Sequence, residues 1–325
     1  MIAYWVHNLD PFAVQFGSGF GVRWYGLAYL AAFATAYFVY VQLAKRGFSV
    51  IAADKVADFI TGCAVFGVLI GGRLGYMLFY NFGGFVRDPL VFFRVWDGGM
   101  SAHGGIVGVV LYTLWYAWRH KVNWPGLGDN LVVGAPLGLF FGRVANFING
   151  ELYGRPATVP WAVKFPKEAY DLPVETQREV LAKAQEMAGG PVGIDQVVNA
   201  VPEMPAWQQM LGEFLTPRHP SQIYEALLEG LVLFAVLFVL RIKVRLPNGI
   251  ITGTFFVGYA GLRIIGEFFR EPDAGLVWGM SRGQFLSIFL ILIGLGFWIG
   301  ARFRPSYPPV WARSGQNSPP KPLGV

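Results

Sequence analysis

The sequence GLGDNLVVGAPLGLFF, residues 126–141, runs without a break into GRVANFINGELYGR, residues 142–155. The first part is rich in Gly, Leu and Phe. Continued to Gly150 as a helix rising about 1.5 Å per residue, it is long enough to cross a hydrocarbon core about 30 Å thick. The second part places two arginines, two asparagines and a glutamate within fourteen positions. An ionised side chain at a bilayer centre costs about 2.5–3.5 kcal/mol on insertion scales, so charge in such a run marks a candidate functional site. On a helix Arg143, Asn146 and Gly150 share one face, which offers a planar cationic fork, an amide and a bare spot for close approach.

The rest of the chain has the same character. Of its 325 residues 54% are hydrophobic and 14% charged, against about 25% charged in an average soluble domain. Apolar runs recur along nearly the whole length, which predicts an all-α polytopic membrane protein of about seven transmembrane helices with an exterior loop or head region. The net charge of +6 fits either anionic lipid or a bias in cytoplasmic loops. Cys63 is the one cysteine; it excludes an internal disulfide, and its apolar surroundings predict a packed core thiol. The opening residues lack the basic and continuous apolar regions of a cleavable signal peptide. No nucleic-acid partner is expected.

The spans are expected at residues 22–44, 56–80, 101–118 and 126–150, with three more starting near Ser221, Gly249 and Gly283. Residues 1–20 look interfacial, and the connection carrying Arg87, Asp88, Arg94 and Asp97 looks amphipathic and superficial. Lys45 and Arg46, Arg119 and Lys121, Arg241, Lys243 and Arg245, and Arg302 and Arg304 follow spans one, three, five and seven. The positive-inside rule makes those loops cytoplasmic and the N-terminus exterior. Four regions result: an interfacial segment and spans one to four (1–150), an exterior head (151–220), spans five to seven (221–304) and a disordered, Pro-rich cytoplasmic tail (305–325). Within the head, residues 175–187 read as a surface helix.

Polar residues converge on one depth. Arg73 and Arg143 each follow their span's start by about seventeen residues, roughly 25 Å along a helix. Arg263 and Arg270 come late in span six. Spans one, three and five run the other way and carry theirs early: Arg23 and Tyr25, Ser101 and His103, then Ser221, Gln222, Tyr224 and Glu225. Both sets meet near the outer leaflet, and the inner halves read as almost purely apolar. In span six Tyr259, Arg263 and Glu267 line one face, where Glu267 can fix Arg263.

Simpler readings stand beside these. Arg23 and Arg282 can snorkel to headgroups, Tyr25 can belong to an interfacial belt, His103 can be a buried structural imidazole, and Arg73 can tie helices through a carboxylate or carbonyl. Several arginines with few free acids and no ligand-spaced Asp/His/Cys cluster argue against a metal. Arginine reads phosphate through two parallel bonds, and phosphate at outer-leaflet depth means a phospholipid headgroup. No Gly-x-Ser-x-Gly elbow supports lipase chemistry.

Gly142-Arg143-x-x-Asn146-Phe147-Ile148-Asn149-Gly150-Glu151-x-x-Gly154 resembles the signature of the bacterial prolipoprotein diacylglyceryl transferases. Arg23-Trp24-Tyr25-Gly26, His103-Gly104-Gly105, Arg218-His219-Pro220-Ser221-Gln222 and Tyr259-x-x-x-Arg263-x-x-x-Glu267 through Arg270 are similar to further family motifs, in the same order. The resemblance implies a seven-span enzyme of the bacterial inner membrane that needs no cofactor or metal. Its partners would be phosphatidylglycerol and a preprolipoprotein signal peptide with its lipobox cysteine. It would join the diacylglyceryl group to that thiol and release glycerol 1-phosphate. The implied roles are His103 as base and Arg143 and Arg263 as stabilisers of the departing phosphate, with Tyr25, Asn146 and Tyr259 orienting the lipid. Glu151 and Glu267 would hold arginines, and Arg73, Gly104, Gly154 and Arg270 would support the site. Residues 167–214 and the tail depart from the family pattern. A flippase or transporter, which should show repeats and broken mid-plane helices, and a non-catalytic lipid-binding scaffold are the rival readings.

Overall fold

The computed structural model describes residues 4–17, 20–94, 98–272, 275–276 and 278–307; Asp97 and the tail from residue 308 onward lie outside the described residues. The chain opens with β1 (Trp5–Val6) and a hairpin of β2 (Phe12–Gly17) and β3 (Phe20–Arg23), where an interfacial segment was expected. At the hairpin base the Arg23 guanidinium lies 4.6 Å from the centre of the Phe12 ring. The first long helix, α1 (Trp24–Lys45), is almost wholly apolar until its last residue. It ends because Gly47 takes φ 81°, while the N–H groups of Gly47 and Phe48 donate to the carbonyls of Ala44 and Leu43 at 3.0 and 2.9 Å. A left-handed turn of this kind satisfies carbonyls that a helix end leaves open.

α2 (Ala53–Phe79) is one long span whose stretch Cys63–Ile70 is π-helical. Cys63 is buried among Tyr40, Phe59 and Tyr116, as a packed core thiol should be. α3 (Ala102–His120) begins at Ser101, whose Oγ accepts from the Gly104 N–H at 3.2 Å. The side-chain oxygen satisfies a donor that the first helical turn leaves free. α2 and α3 meet along a stripe of glycines. A Cβ on Gly104 would lie 2.4 Å from the Gly71 carbonyl oxygen, and one on Gly108 2.3 Å from that of Gly67. Such stripes let two backbones touch where lipid offers no hydrophobic drive for association.

α4 (Trp124–Ile148) holds the opening stretch and ends as α1 does. Gly150 takes φ 61°, and the N–H groups of Gly150 and Glu151 donate to Phe147 and Asn146 at 2.9 and 3.1 Å. The Asn-Gly-Glu turn of the motif is therefore a helix cap before it is anything else.

β4 (Val163–Lys164) returns to pair with β1 in parallel. Three helices follow: α5 (Val174–Ala188), where residues 175–187 were expected to be helical, α6 (Ile194–Ala200) and α7 (Pro205–Gly212). They share a core of Val180, Ala184, Val197 and Leu211, so the insertion builds its own packing. α8 (Ser221–Lys243) passes through a π-helical stretch, Ala226–Val232. α9 (Ile250–Glu267) and α10 (Arg282–Phe303) complete the fold.

The protein is thus a mostly helical, multi-pass membrane protein. Five of its described helices, α1, α2, α4, α8 and α10, are long and apolar enough to cross a membrane. α3 and α9 stand where spans three and six were expected, but they are shorter and more polar.

Contacts group the chain into two compact units: Met1–Ala32, Pro136–Leu233 and Gly258–Ile291 in one, Phe33–Ala135, Phe234–Val257 and Leu292–Val325 in the other. The second unit also holds buried charge that the reading of almost purely apolar inner halves passed over. Near the start of α4, Asp129 is fully buried and lies 3.6 Å from Arg241, near the end of α8. Arg241 also donates to Asn130 at 2.8 Å, and Asp129 accepts from the N–H groups of Gly249 and Thr252, both at 2.8 Å. A buried charge persists where every lone pair has such a partner. The pairing joins residues far apart in sequence, which no local pattern announces.

Candidate functional site

The first unit gathers a cluster of buried charges. Arg143 comes from the last turns of α4. Its Nη1 lies 3.1 Å from Glu225 and its Nη2 3.4 Å from Glu229, and its side chain is 15% exposed. Arg263, from α9, uses one nitrogen on Glu225 and also on Glu229, the latter at 3.3 Å, and its second on Glu267. Arg270 reaches Glu225 at 3.3 Å from just beyond α9. Glu225 and Glu229 are both fully buried; Glu225 closes the α-helical first turn of α8 and Glu229 lies in the π-helical stretch that follows it. Such stretches recur at functional sites because they displace side chains from the ordinary helical register.

The i, i+4 link from Arg263 to Glu267 stands as the sequence implied. Glu225 had been seen only as one of several early polar residues, and Glu229 was missed. The rule that singled out the arginines, charge inside an apolar run, applies equally to the acids of Ser221-Gln222-Ile223-Tyr224-Glu225-Ala226-Leu227-Leu228-Glu229.

Glu151 differs from its expected part. It accepts from Asn146 Nδ2 at 2.9 Å and Asn149 Nδ2 at 3.3 Å, and Lys167 approaches it at 3.8 Å. It holds amides rather than an arginine, because the cap at Gly150 turns it back over the end of α4. Gln222 Nε2 donates to its carbonyl at 2.7 Å. Glu151 therefore fixes the buried Asn146 amide.

Gly154 sits where two strands of chain touch. Its N–H donates to the His219 carbonyl at 2.9 Å, and a Cβ there would lie 2.5 Å from the carbonyl oxygens of both His219 and Phe269. Arg218 braces the same loop by bonds to Glu168 at 2.8 Å and Glu271 at 3.1 Å. Burial opposes its charge, but Glu168 foremost, with Tyr153 and Glu271, together outweigh that and raise its pKa. Burial lowers the pKa of the neighbouring His219. Tyr259 is half-buried, within electrostatic reach of Glu229, Arg263 and Arg143. Tyr25 is also half-buried and packs against Tyr29 with ring centres 5.6 Å apart.

The remaining candidates belong to the second unit. Arg73 is 2% exposed, and among the described residues its guanidinium donates to main-chain carbonyls: Phe92 at 2.9 Å, Arg94 at 2.8 Å, Gly99 at 2.9 Å, and also Val91 and Gly98. It shapes the connection after α2: it binds carbonyls, as one simpler reading allowed, but those of the following segment rather than of a second long helix. Gly104 serves the contact of α2 with α3. His103, on the first turn of α3, is exposed and borders an apolar groove of about 740 Å³ lined by Leu74, Leu78, Val107, Leu111 and Trp115.

The cluster can grip an anion by planar forks on three arginines whose geometry is already fixed by carboxylates. The profile of a family described as prolipoprotein diacylglyceryl transferase matches residues 11–300. Proteins named phosphatidylglycerol--prolipoprotein diacylglyceryl transferase are similar over nearly their whole length. The one from Rhodospirillum centenum is 43% identical, with 95% of this chain and 97% of the relative covered. That from Azospirillum brasilense is 40% identical, with 94% and 99% covered. That from Geobacter sulfurreducens is 41% identical, with 89% and 94% covered. A match that takes in the arginine cluster, the capped Asn-Gly-Glu turn and almost every helix leaves one conclusion: the chain belongs to the prolipoprotein diacylglyceryl transferase family.

Proposed function

We propose that the chain transfers the diacylglyceryl group of phosphatidylglycerol to the lipobox cysteine of a preprolipoprotein, forming a thioether and releasing glycerol 1-phosphate. The observation that carries this reading is the convergence of Arg143 and Arg263 on one buried carboxylate pair in a chain of this family. A flippase or a passive lipid scaffold has no comparable support.

In the reaction the substrate thiol loses its proton to His103, since the thiolate is the nucleophile and a free cysteine has a pKa of about 8.5. The thiolate attacks the glyceryl carbon. The carbon–oxygen bond to phosphate breaks, and its electron pair stays on the phosphate oxygen. Arg143 and Arg263 stabilise the growing charge in a site with little water, where preorganised donors count most. Tyr25, Asn146 and Tyr259 orient the headgroup. Glu267 fixes Arg263, and Glu151 acts through Asn146. Arg73, Gly104, Gly154 and Arg270 support the backbone and the charge cluster.

The same reading makes α3 and α9 the third and sixth of seven spans, with the N-terminus exterior and the C-terminus cytoplasmic in a bacterial inner membrane. Residues 1–150 then carry the interfacial segment and four spans, 151–220 the periplasmic head, 221–304 three spans and 305–325 a cytoplasmic tail. The basic residues after α1, α3, α8 and α10 support this orientation. Incubation of the purified chain with phosphatidylglycerol and a lipobox peptide tests the activity. A diacylglyceryl mass increment should appear on the cysteine peptide and be absent from its serine counterpart. No increment on the cysteine peptide overturns the reading.

A further inference from the structure

Among the described residues the ion pairs of the arginine cluster balance: Arg143, Arg263 and Arg270 stand against Glu225, Glu229 and Glu267, three charges of each sign. Glu225 and Glu229 are fully buried, so neither carboxylate can turn to solvent without moving its helix. Among the described residues, the charged and titratable groups that face Glu229 are Arg143 from α4, Arg263 and Tyr259 from α9, and Glu225 from its own helix. Glu267 acts on it through Arg263, and Arg270 through Glu225.

A phosphodiester brings one negative charge. Set against Arg143 and Arg263, it would compete with the two carboxylates and leave the cluster with an uncompensated charge where water is scarce. Uncompensated buried charge is strongly unfavourable, and two carboxylates sharing a site commonly keep one proton between them. Here one arginine nitrogen contacts both carboxylates at once.

We infer that the Glu225–Glu229 pair takes up one proton when the anionic lipid phosphate binds, and that Glu229 holds it. Glu225 is gripped by three arginines: Arg143 at 3.1 Å, Arg270 at 3.3 Å and Arg263 more closely still. Glu229 has two, at 3.4 and 3.3 Å. Neutralising Glu229 therefore gives up the least attraction and frees one fork face on Arg143 and on Arg263. A protonated carboxyl also becomes an O–H donor, which a phosphate oxygen can accept. The inference rests on the transfer reading for the identity of the phosphate, and on the charge count for the proton.

Calorimetric titration of the detergent-solubilised full chain with dihexanoyl phosphatidylglycerol tests it. At pH 7, in two buffers of different ionisation enthalpy, the wild type should show uptake of about one proton per lipid bound, and its affinity should fall close to tenfold from pH 7 to 8. Glu229→Gln should lose both effects and bind at pH 8 more tightly than wild type, whereas His103→Gln should keep both. Buffer-independent heats in the wild type, a measurement that needs no variant, would overturn the inference. So would an unchanged pH slope in Glu229→Gln. If the linkage appears but no peptide adduct ever forms, the transfer reading fails and the proton-linked phosphate site stands. If adduct forms without linkage, the proton inference alone fails.

Discussion

Replacement of Arg143 by lysine separates a phosphate fork from a structural charge. The guanidinium spans two acids, with Nη1 at 3.1 Å from Glu225 and Nη2 at 3.4 Å from Glu229. Lysine keeps the charge but offers one nitrogen, which cannot serve two partners in a planar fork. The resting protein then loses one hydrogen bond to a charged group, worth about 1.5–3 kcal/mol. That loss lowers the melting temperature without touching chemistry. Removing a preorganised donor to transition-state charge costs about 2.7–4 kcal/mol, or ~10²–10³ in rate. Turnover on phosphatidylglycerol and a lipobox peptide, normalised to folded protein, should drop within that range while KM for the lipid moves little. The donor counts most when the phosphate carries its extra charge. Arg143→Lys with normal turnover per folded molecule and only a lower melting temperature would refute the fork and leave Arg143 a structural ion.

His103→Gln should fold, bind lipid and lose most turnover, with part of the rate returning as pH rises through about 8.5, where the peptide thiol ionises unaided; a normal rate at pH 7 removes it from the base role. Gly154→Ala should destabilise by about 1–3 kcal/mol, because the added methyl meets two backbone carbonyls that cannot rotate away; an unchanged melting curve would show that the loop yields. Burial lowers the His7 pKa from 6.5 to about 4. The folded chain therefore stays neutral there while the unfolded chain binds a proton. Stability should be level above pH 6.5 and fall by about 3 kcal/mol as pH drops to 4. His7→Phe, which suits the surrounding Trp5, Phe147 and Phe165 rings, should flatten that loss in melts taken at pH 7 and 4.5.

What could be read from the sequence follows the range of each interaction. The long helices were legible because hydrocarbon demands apolar length, and the pair Arg263–Glu267 because four residues make one helical turn. The cap at Gly150 joins residues five apart or fewer, so its chemistry lies within the motif itself. Arg143 and Glu229 are separated by 86 positions, and the Asn130–Arg241 bond by 111. Each member was a visible polar residue, but nothing local assigned its partner. Arg73 was legible as a buried charge and illegible in its role, because it spends its donors on main-chain carbonyls, which every residue carries. Glu151 was assigned to an arginine because a carboxylate near arginines invites that pairing; the turn after α4 brings it to two asparagines first. β1 and β4 are only two residues each and pair Trp5 with Val163, too short for an alternating pattern to show and too far apart in sequence for a local one.

Transfer itself is tested most directly by following the two halves of the lipid separately. Phosphatidylglycerol carrying deuterium in its acyl chains and ¹³C in its headgroup glycerol would be incubated with the purified chain and a lipobox cysteine peptide, and peptide and aqueous phase analysed by mass. The expected result is deuterium on the cysteine, ¹³C in free glycerol 1-phosphate, and the two formed in equal amounts. Deuterium on the peptide without glycerol phosphate, or ¹³C on the cysteine, would contradict cleavage at the glyceryl carbon and with it the phosphate-gripping role of Arg143 and Arg263.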